Sequence, residues 1–176
     1  MAASLEEIKE LREMTSCGVI ECKKALEEAS GDFDKAKEIL RKRGLEIAAK
    51  KGNRVANEGR IEAYVHLGSK IGVLLEVNCE TDFVAKTDAF KDFTKDLAMH
   101  IAAMDPQYIK KEDVPNDVLA QQQDQKIFLK ENCLLEQAFV KNTSITVQDY
   151  LNSLVVKIGE NISVSRFIRY KVGEAK

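Results

Sequence analysis

Apolar residues in this chain repeat every three to four positions up to about residue 44, and every second position from about residue 60. That change of period is the strongest constraint on the fold, because a helix buries a 3.6-residue stripe and a strand buries alternate residues. Helices therefore come first and a hairpin follows, with further helical stripes after it. With 176 residues, 44% hydrophobic and 32% charged, the chain can hold one ordinary domain or a small module beside a medium one.

The first module, 1–44, reads as three short helices. Ser4 and Glu7 form a capping-box pattern ahead of Leu5, Ile8, Leu11 and Met14 at helical spacing. Thr15, Ser16, Cys17 and Gly18 interrupt it, and a second helix carries Val19, Cys22, Leu26 and Ala29 along one side up to a left-handed stop at Ser30 and Gly31. On that helix Val19 shares the buried stripe, whereas Ile20 lies at its edge and is free to meet a partner. Asp32 caps a third helix with Phe33, Ala36, Ile39 and Leu40 inward, and Arg41, Lys42 and Arg43 meet its negative end before Gly44. A core this small suits a docking device better than a catalyst. Residues 45–57, polar around Lys50, Lys51, Gly52 and Asn53, read as a linker whose early half can extend as a short helix.

The larger module, 58–176, opens with a hairpin. Ile61, Ala63, Val65 and Leu67 alternate with Glu62, Tyr64 and His66, Gly68, Ser69 and Lys70 turn the chain, and Ile71, Val73, Leu75 and Val77 return it. A third strand is expected where Ile162, Val164, Ile168 and Tyr170 alternate with Ser163, Ser165 and Arg169. Helical stripes lie between: Phe90, Phe93, Leu97, Ile101 and Met104 before an Asp105-Pro106 stop, then Val147, Tyr150, Leu151, Leu154 and Ile158 before Gly159. The expected fold is α+β, a three-helix bundle plus a core with a small antiparallel three-stranded sheet covered by helices. Residues 115–129 read as one exposed helix capped by Asn116, and 133–144 fit a strand or a packed loop equally.

Chemistry is sparse. Lys+Arg 27 against Asp+Glu 29 gives a formal charge of −2, so no general attraction to nucleic acid or anionic membranes is expected. Protein surfaces are the expected partners. No apolar run reaches the length of a membrane span, and Glu6, Glu7 and Glu10 are unlike a targeting segment, so a cytoplasmic location is expected. Cys17, Cys22, Cys79 and Cys133 are scattered and read as reduced thiols; no spacing with His66 or His100 suggests a metal site, and no cofactor is expected. No phosphate-binding loop, nucleophile elbow or His-x-x-x-His pair is present.

The run from Glu76 to Lys86 departs from this plainness. Asp82 and Phe83 place a short acid and a large aromatic where a strand should end, as if shaped to enter another molecule. Thr81, Asp82, Phe83, Val84 and Ala85, with Leu11 to Thr15, Gly18, Cys22 to Leu26 and Gly31-Asp32, closely resemble bacterial elongation factor Ts. Met99 to Ala103, Lys157 to Ile162 and Phe167 to Tyr170 extend that resemblance over nearly the whole length. Longer members of the family carry a duplicated core and a protruding coiled coil; this chain shows one core.

The resemblance implies a ubiquitin-associated-like N-terminal bundle and a guanine-nucleotide exchange factor for elongation factor Tu. It implies docking through Thr15, Ser16, Cys17, Gly18, Val19 and Ile20. It also implies that Thr81, Asp82, Phe83 and Val84 act near the GTPase's Mg²⁺, with no bond chemistry performed by the chain itself. A single core suggests a homodimer that supplies a second contact surface. Two rival readings are a protein-binding adaptor that uses only the bundle, and a small enzyme using Cys79 with His66 or His100.

Overall fold

The computed structural model describes residues 3–15 and 17–174. The chain forms two compact units, Met1–Val55 with Asp149–Asn161, and Ala56–Gln148 with Ile162–Lys176.

In the first unit α1 (Leu5–Thr15), α2 (Val19–Glu28) and α3 (Phe33–Lys51) enclose Ile8, Leu11, Cys22, Ala25, Leu26, Ala29, Ala36 and Leu40. The capping box forms in both directions: Ser4 N–H donates to Glu7 Oε2 at 2.7 Å and Glu7 N–H to Ser4 Oγ at 3.2 Å. The Ser4 N–H, helped by the Ser4 hydroxyl, holds the Glu7 carboxyl below its usual range. Ser30 and Gly31 take positive φ angles of 54° and 85° to end α2, and Asp32 accepts from the N–H groups of Asp34 and Lys35, both at 3.1 Å.

Two expectations fail here. Helix α3 does not stop at Gly44 but continues to Lys51, so the early half of the expected linker is helical, as its sequence allows. Gly44 keeps helical geometry and is buried, and a Cβ there would lie 3.6 Å from Cβ of Asn152. That is an ordinary contact, so the glycine neither ends the helix nor is demanded by the packing. Consequently Arg41, Lys42 and Arg43 do not meet a helix end; they pair with Glu38, Glu28 and Glu21 instead. The second is Val19, which is 50% exposed and lies outside the core stripe.

In the second unit β1 (Glu58–Val65), β2 (Ile71–Cys79) and β5 (Ile162–Lys171) form an antiparallel sheet in the order β1-β2-β5. Helix α5 (Asp88–Met104) packs on β1 and β2 with Phe90, Phe93, Leu97 and Ile101 fully buried. The side of β1 facing α5 is the polar one. Glu62, its side chain 14% exposed, accepts from Arg60 at 2.9 Å and from the buried Thr94 of α5 at 3.2 Å. Ile61, Val65 and Leu74 lie on the opposite, open face.

The expected single helix over 115–129 is two short ones, α6 (Asn116–Ala120), whose first cap is Pro115, and α7 (Gln125–Asn132), capped by Asp124. The Asp124 carboxylate takes the N–H groups of Lys126 and Ile127, so the acid after the glutamine run starts a new helix. The ambiguous stretch after Cys133 resolves into a 3₁₀ turn, Leu134–Glu136, and strand β3 (Ala138–Phe139) paired with β4 (Asn142–Thr146). Helix α8 (Val147–Ile158) follows.

Candidate functional site

Strand β2 delivers the chain to the segment 78–86, and its exit is fixed on both sides. Asn78 Nδ2 donates back across β1 to the Glu58 carbonyl at 3.2 Å, and the buried Cys79 thiol donates to the Thr81 carbonyl at 3.1 Å. Gly59, opposite Asn78, adopts φ 153°, and a Cβ there would sit 2.3 Å from the Val77 carbonyl oxygen. The strands approach so closely that only glycine fits.

Residues Asp82–Ala85 then form a single helical turn, α4. Its cap is Thr81, whose hydroxyl accepts from Val84 N–H at 3.5 Å; Asp82 is the first helical residue and not the cap. Thr87 caps the next helix immediately, accepting from Phe90 N–H at 3.3 Å while donating to the Val84 carbonyl at 2.8 Å. Two caps six residues apart explain why the chain turns here: each threonine satisfies N–H groups that a new helix leaves unpaired, so α4 cannot merge with α5.

The turn exposes its aromatic. Phe83 is 79% accessible, which excludes an ordinary core position between strand and helix. Asp82 meets Lys86 Nζ at 2.6 Å, and that ammonium holds the carboxyl below its usual range. Val84 is half-buried, consistent with the fixed side of the turn.

The other predicted set lies in the first unit. Thr15 closes α1 by donating to the Leu11 carbonyl at 2.7 Å, Cys17 is half-buried, Gly18 caps α2 through its backbone alone, and Val19 and Ile20 project, Ile20 at 69% exposure. Ser16 lies outside the described residues. The two sets belong to different units, each a surface in its own right.

The groups considered for catalysis are otherwise engaged. His66 Nδ1 meets the Tyr64 hydroxyl at 3.0 Å. His100 is buried, with one ring nitrogen against Gln137 Oε1 at 2.9 Å and the other accepting from Val140 N–H at 3.2 Å. Burial pushes the thiols of Cys17 and Cys22 up, and that of Cys133 up to about 11. Among the described residues no group of three or more His, Cys, Asp or Glu is arranged to hold a metal, and no helix is long and apolar enough to cross a membrane.

Sequence reasoning gives Cys79, Gly59, Thr87 and Lys86 no part in shaping this turn. The signals are present: a threonine three residues before a helical N–H twice over, and an acid four residues ahead of a lysine.

Comparison with known proteins gives one family. A sequence model described as "Elongation factor TS" matches residues 6–127 and 124–174, two segments that overlap near the start of α7. The chain is 51% identical to elongation factor Ts of Carboxydothermus hydrogenoformans over 95% of this chain and 88% of that protein. It is 50% identical to elongation factor Ts of Moorella thermoacetica over 96% and 94%, and 48% identical to that of Fervidobacterium nodosum over 99% and 100%.

Proposed function

This chain belongs to the elongation factor Ts family of translation elongation factors, and from that membership we propose that it promotes GDP release from elongation factor Tu in the cytoplasm, acting without bond chemistry of its own. The observation that carries the reading is Phe83, an aromatic ring held out in solvent on a turn fixed by Thr81, Cys79 and Thr87.

A GTPase holds its nucleotide through a phosphate-binding loop and Mg²⁺. Phe83 wedges between helices beside that site, and Asp82 disturbs the metal's surroundings with a second negative charge. Full burial of the ring is worth about 1.5 to 3 kcal/mol. Each tenfold loss of GDP affinity requires about 1.4 kcal/mol of coupling, so the wedge supplies part of a thousandfold effect. Docking by the N-terminal bundle, ubiquitin-associated-like in its three helices, supplies more through Val19 and Ile20, with Thr15 to Gly18 shaping the loop.

A second copy of the chain covers the open sheet face. Antiparallel register lines up Ala63 with Leu74 and Ile168, Val65 with Gly72 and Tyr170, and Ile61 with Glu76 and Arg166. Exposed apolar side chains in such a block mark interaction surfaces, and a two-fold pairing would bury the same block on both copies.

The test is release of fluorescent GDP from purified elongation factor Tu. Stimulation by the wild-type chain, reduced in Phe83→Ala and Asp82→Ala, supports the reading; no stimulation by the wild-type chain contradicts it, and equal stimulation by all three removes the Asp82-Phe83 turn from the mechanism.

A further inference from the structure

We infer that Lys86 is a positioning residue for Asp82 and Phe83, an inference that rests on the exchange reading above. Helix α4 has four residues, and a single turn is not stable by itself. Lys86 Nζ reaches back to Asp82 Oδ2 at 2.6 Å and so ties the residue that ends the turn to its first. Both side chains are largely in solvent, 73% and 50% exposed, so the pair is not held by burial. Phe83 sits between them with its ring exposed, so the geometry of the backbone turn bears directly on where it points.

The electrostatics agree with the geometry. Lys86 holds the Asp82 carboxyl down, and Asp82, with Glu58 of β1 adding a smaller effect, raises the lysine. Without the ammonium, the Asp82 carboxylate rotates freely, although the Thr81, Cys79 and Thr87 hydrogen bonds still hold the turn. Ordering of the carboxylate must then occur on contact, which weakens association. Once the partner is bound, the same contacts form, so the maximal release rate stays the same.

Exchange measured against factor concentration tests this. In Lys86→Met and Lys86→Gln the half-saturating concentration rises about two- to fivefold, the range set by an exposed pair, with the maximal rate unchanged. Lys86→Arg restores the wild-type value, and the gap narrows in high salt, which screens the pair in the wild type. In an Asp82→Ala background, Lys86→Met adds nothing. Wild-type behaviour of Lys86→Met at low salt, no rescue by arginine, or an undiminished effect in the Asp82→Ala background would overturn the inference alone. Absence of stimulated GDP release by the wild-type chain would overturn the exchange reading itself.

Discussion

Gly59 stands so close to Val77 that a single added methyl would lie 2.3 Å from the Val77 carbonyl oxygen and 2.8 Å from Cα of Asn78. The approach lies one residue pair before β1 and β2 part at Glu58 and Cys79, just ahead of the segment carrying Asp82 and Phe83. Gly59→Ala therefore combines backbone strain at φ 153° with overlap, at a cost of about 2 to 4 kcal/mol. Urea unfolding of the variant should show it. A midpoint equal to wild type would mean that the strands separate there without cost.

Phe83→Ala is predicted to leave stability within about 0.5 kcal/mol of wild type, because an exposed ring supports nothing in the free protein. Exchange should fall about 10- to 150-fold, the equivalent of losing about 1.5 to 3 kcal/mol of ring burial on the partner. Paired measurements of unfolding and of GDP release check both halves. A variant that loses stability and activity together would return Phe83 to a structural role.

Arg169 joins the end of α5 to β5. Its side chain is 9% exposed, and it contacts Asp105 Oδ2 at 3.2 Å and Glu174 Oε2 at 3.4 Å while donating to the Ala102 carbonyl at 3.3 Å. Asp105 is the left-handed cap of α5, φ 50°. Arg169→Met leaves these acceptors without the guanidinium and should cost about 1 to 3 kcal/mol, read by chemical denaturation. Unchanged stability would show the ion pairs to be incidental.

His100 makes stability depend on pH. Burial lowers its pKa from the ordinary 6.5, and because Val140 N–H donates to Nδ1, the neutral ring carries its proton on Nε2, toward Gln137. Between the folded and unfolded pKa values the unfolded chain binds a proton that the fold refuses. The contribution is complete well above the unfolded pKa of about 6.5, declines as pH falls through it, and levels off below the folded pKa. Unfolding free energy should drop as pH falls through about 6.5 in the wild type, and less so in His100→Gln. Equal slopes would remove His100 as the source.

Much of this is legible in the sequence where local chemistry decides. Ser4 with Glu7, Asp32, Ser30-Gly31 and the Phe90 to Ile101 stripe each specify their own geometry, and all appear as read. Gly44 misleads because a glycine after a basic cluster reads as a helix stop, whereas α3 continues through it to Lys51 with Gly44 buried. The break between α6 and α7 escapes a reading of period because the Asp124 cap is hidden in a polar run with no apolar repeat to interrupt. For the candidate site, the exposure of Phe83 does not follow from residue type, since phenylalanine is usually buried. It follows from the two threonine caps, each visible alone and informative only when connected.

The open sheet face yields another expected outcome. Leu74→Glu places a charge at the centre of the block formed with Ala63 and Ile168, and should convert a dimer to a monomer without unfolding it. Light scattering at working concentration measures this directly. A wild-type chain that is already monomeric would contradict the second-copy proposal.

The most direct test of the central claim is a titration of elongation factor Tu with this protein, with and without saturating GDP. Mutual exclusion predicts that GDP weakens binding of the factor by the same ratio that the factor weakens binding of GDP. A stable three-component complex in which neither ligand loosens the other would contradict it.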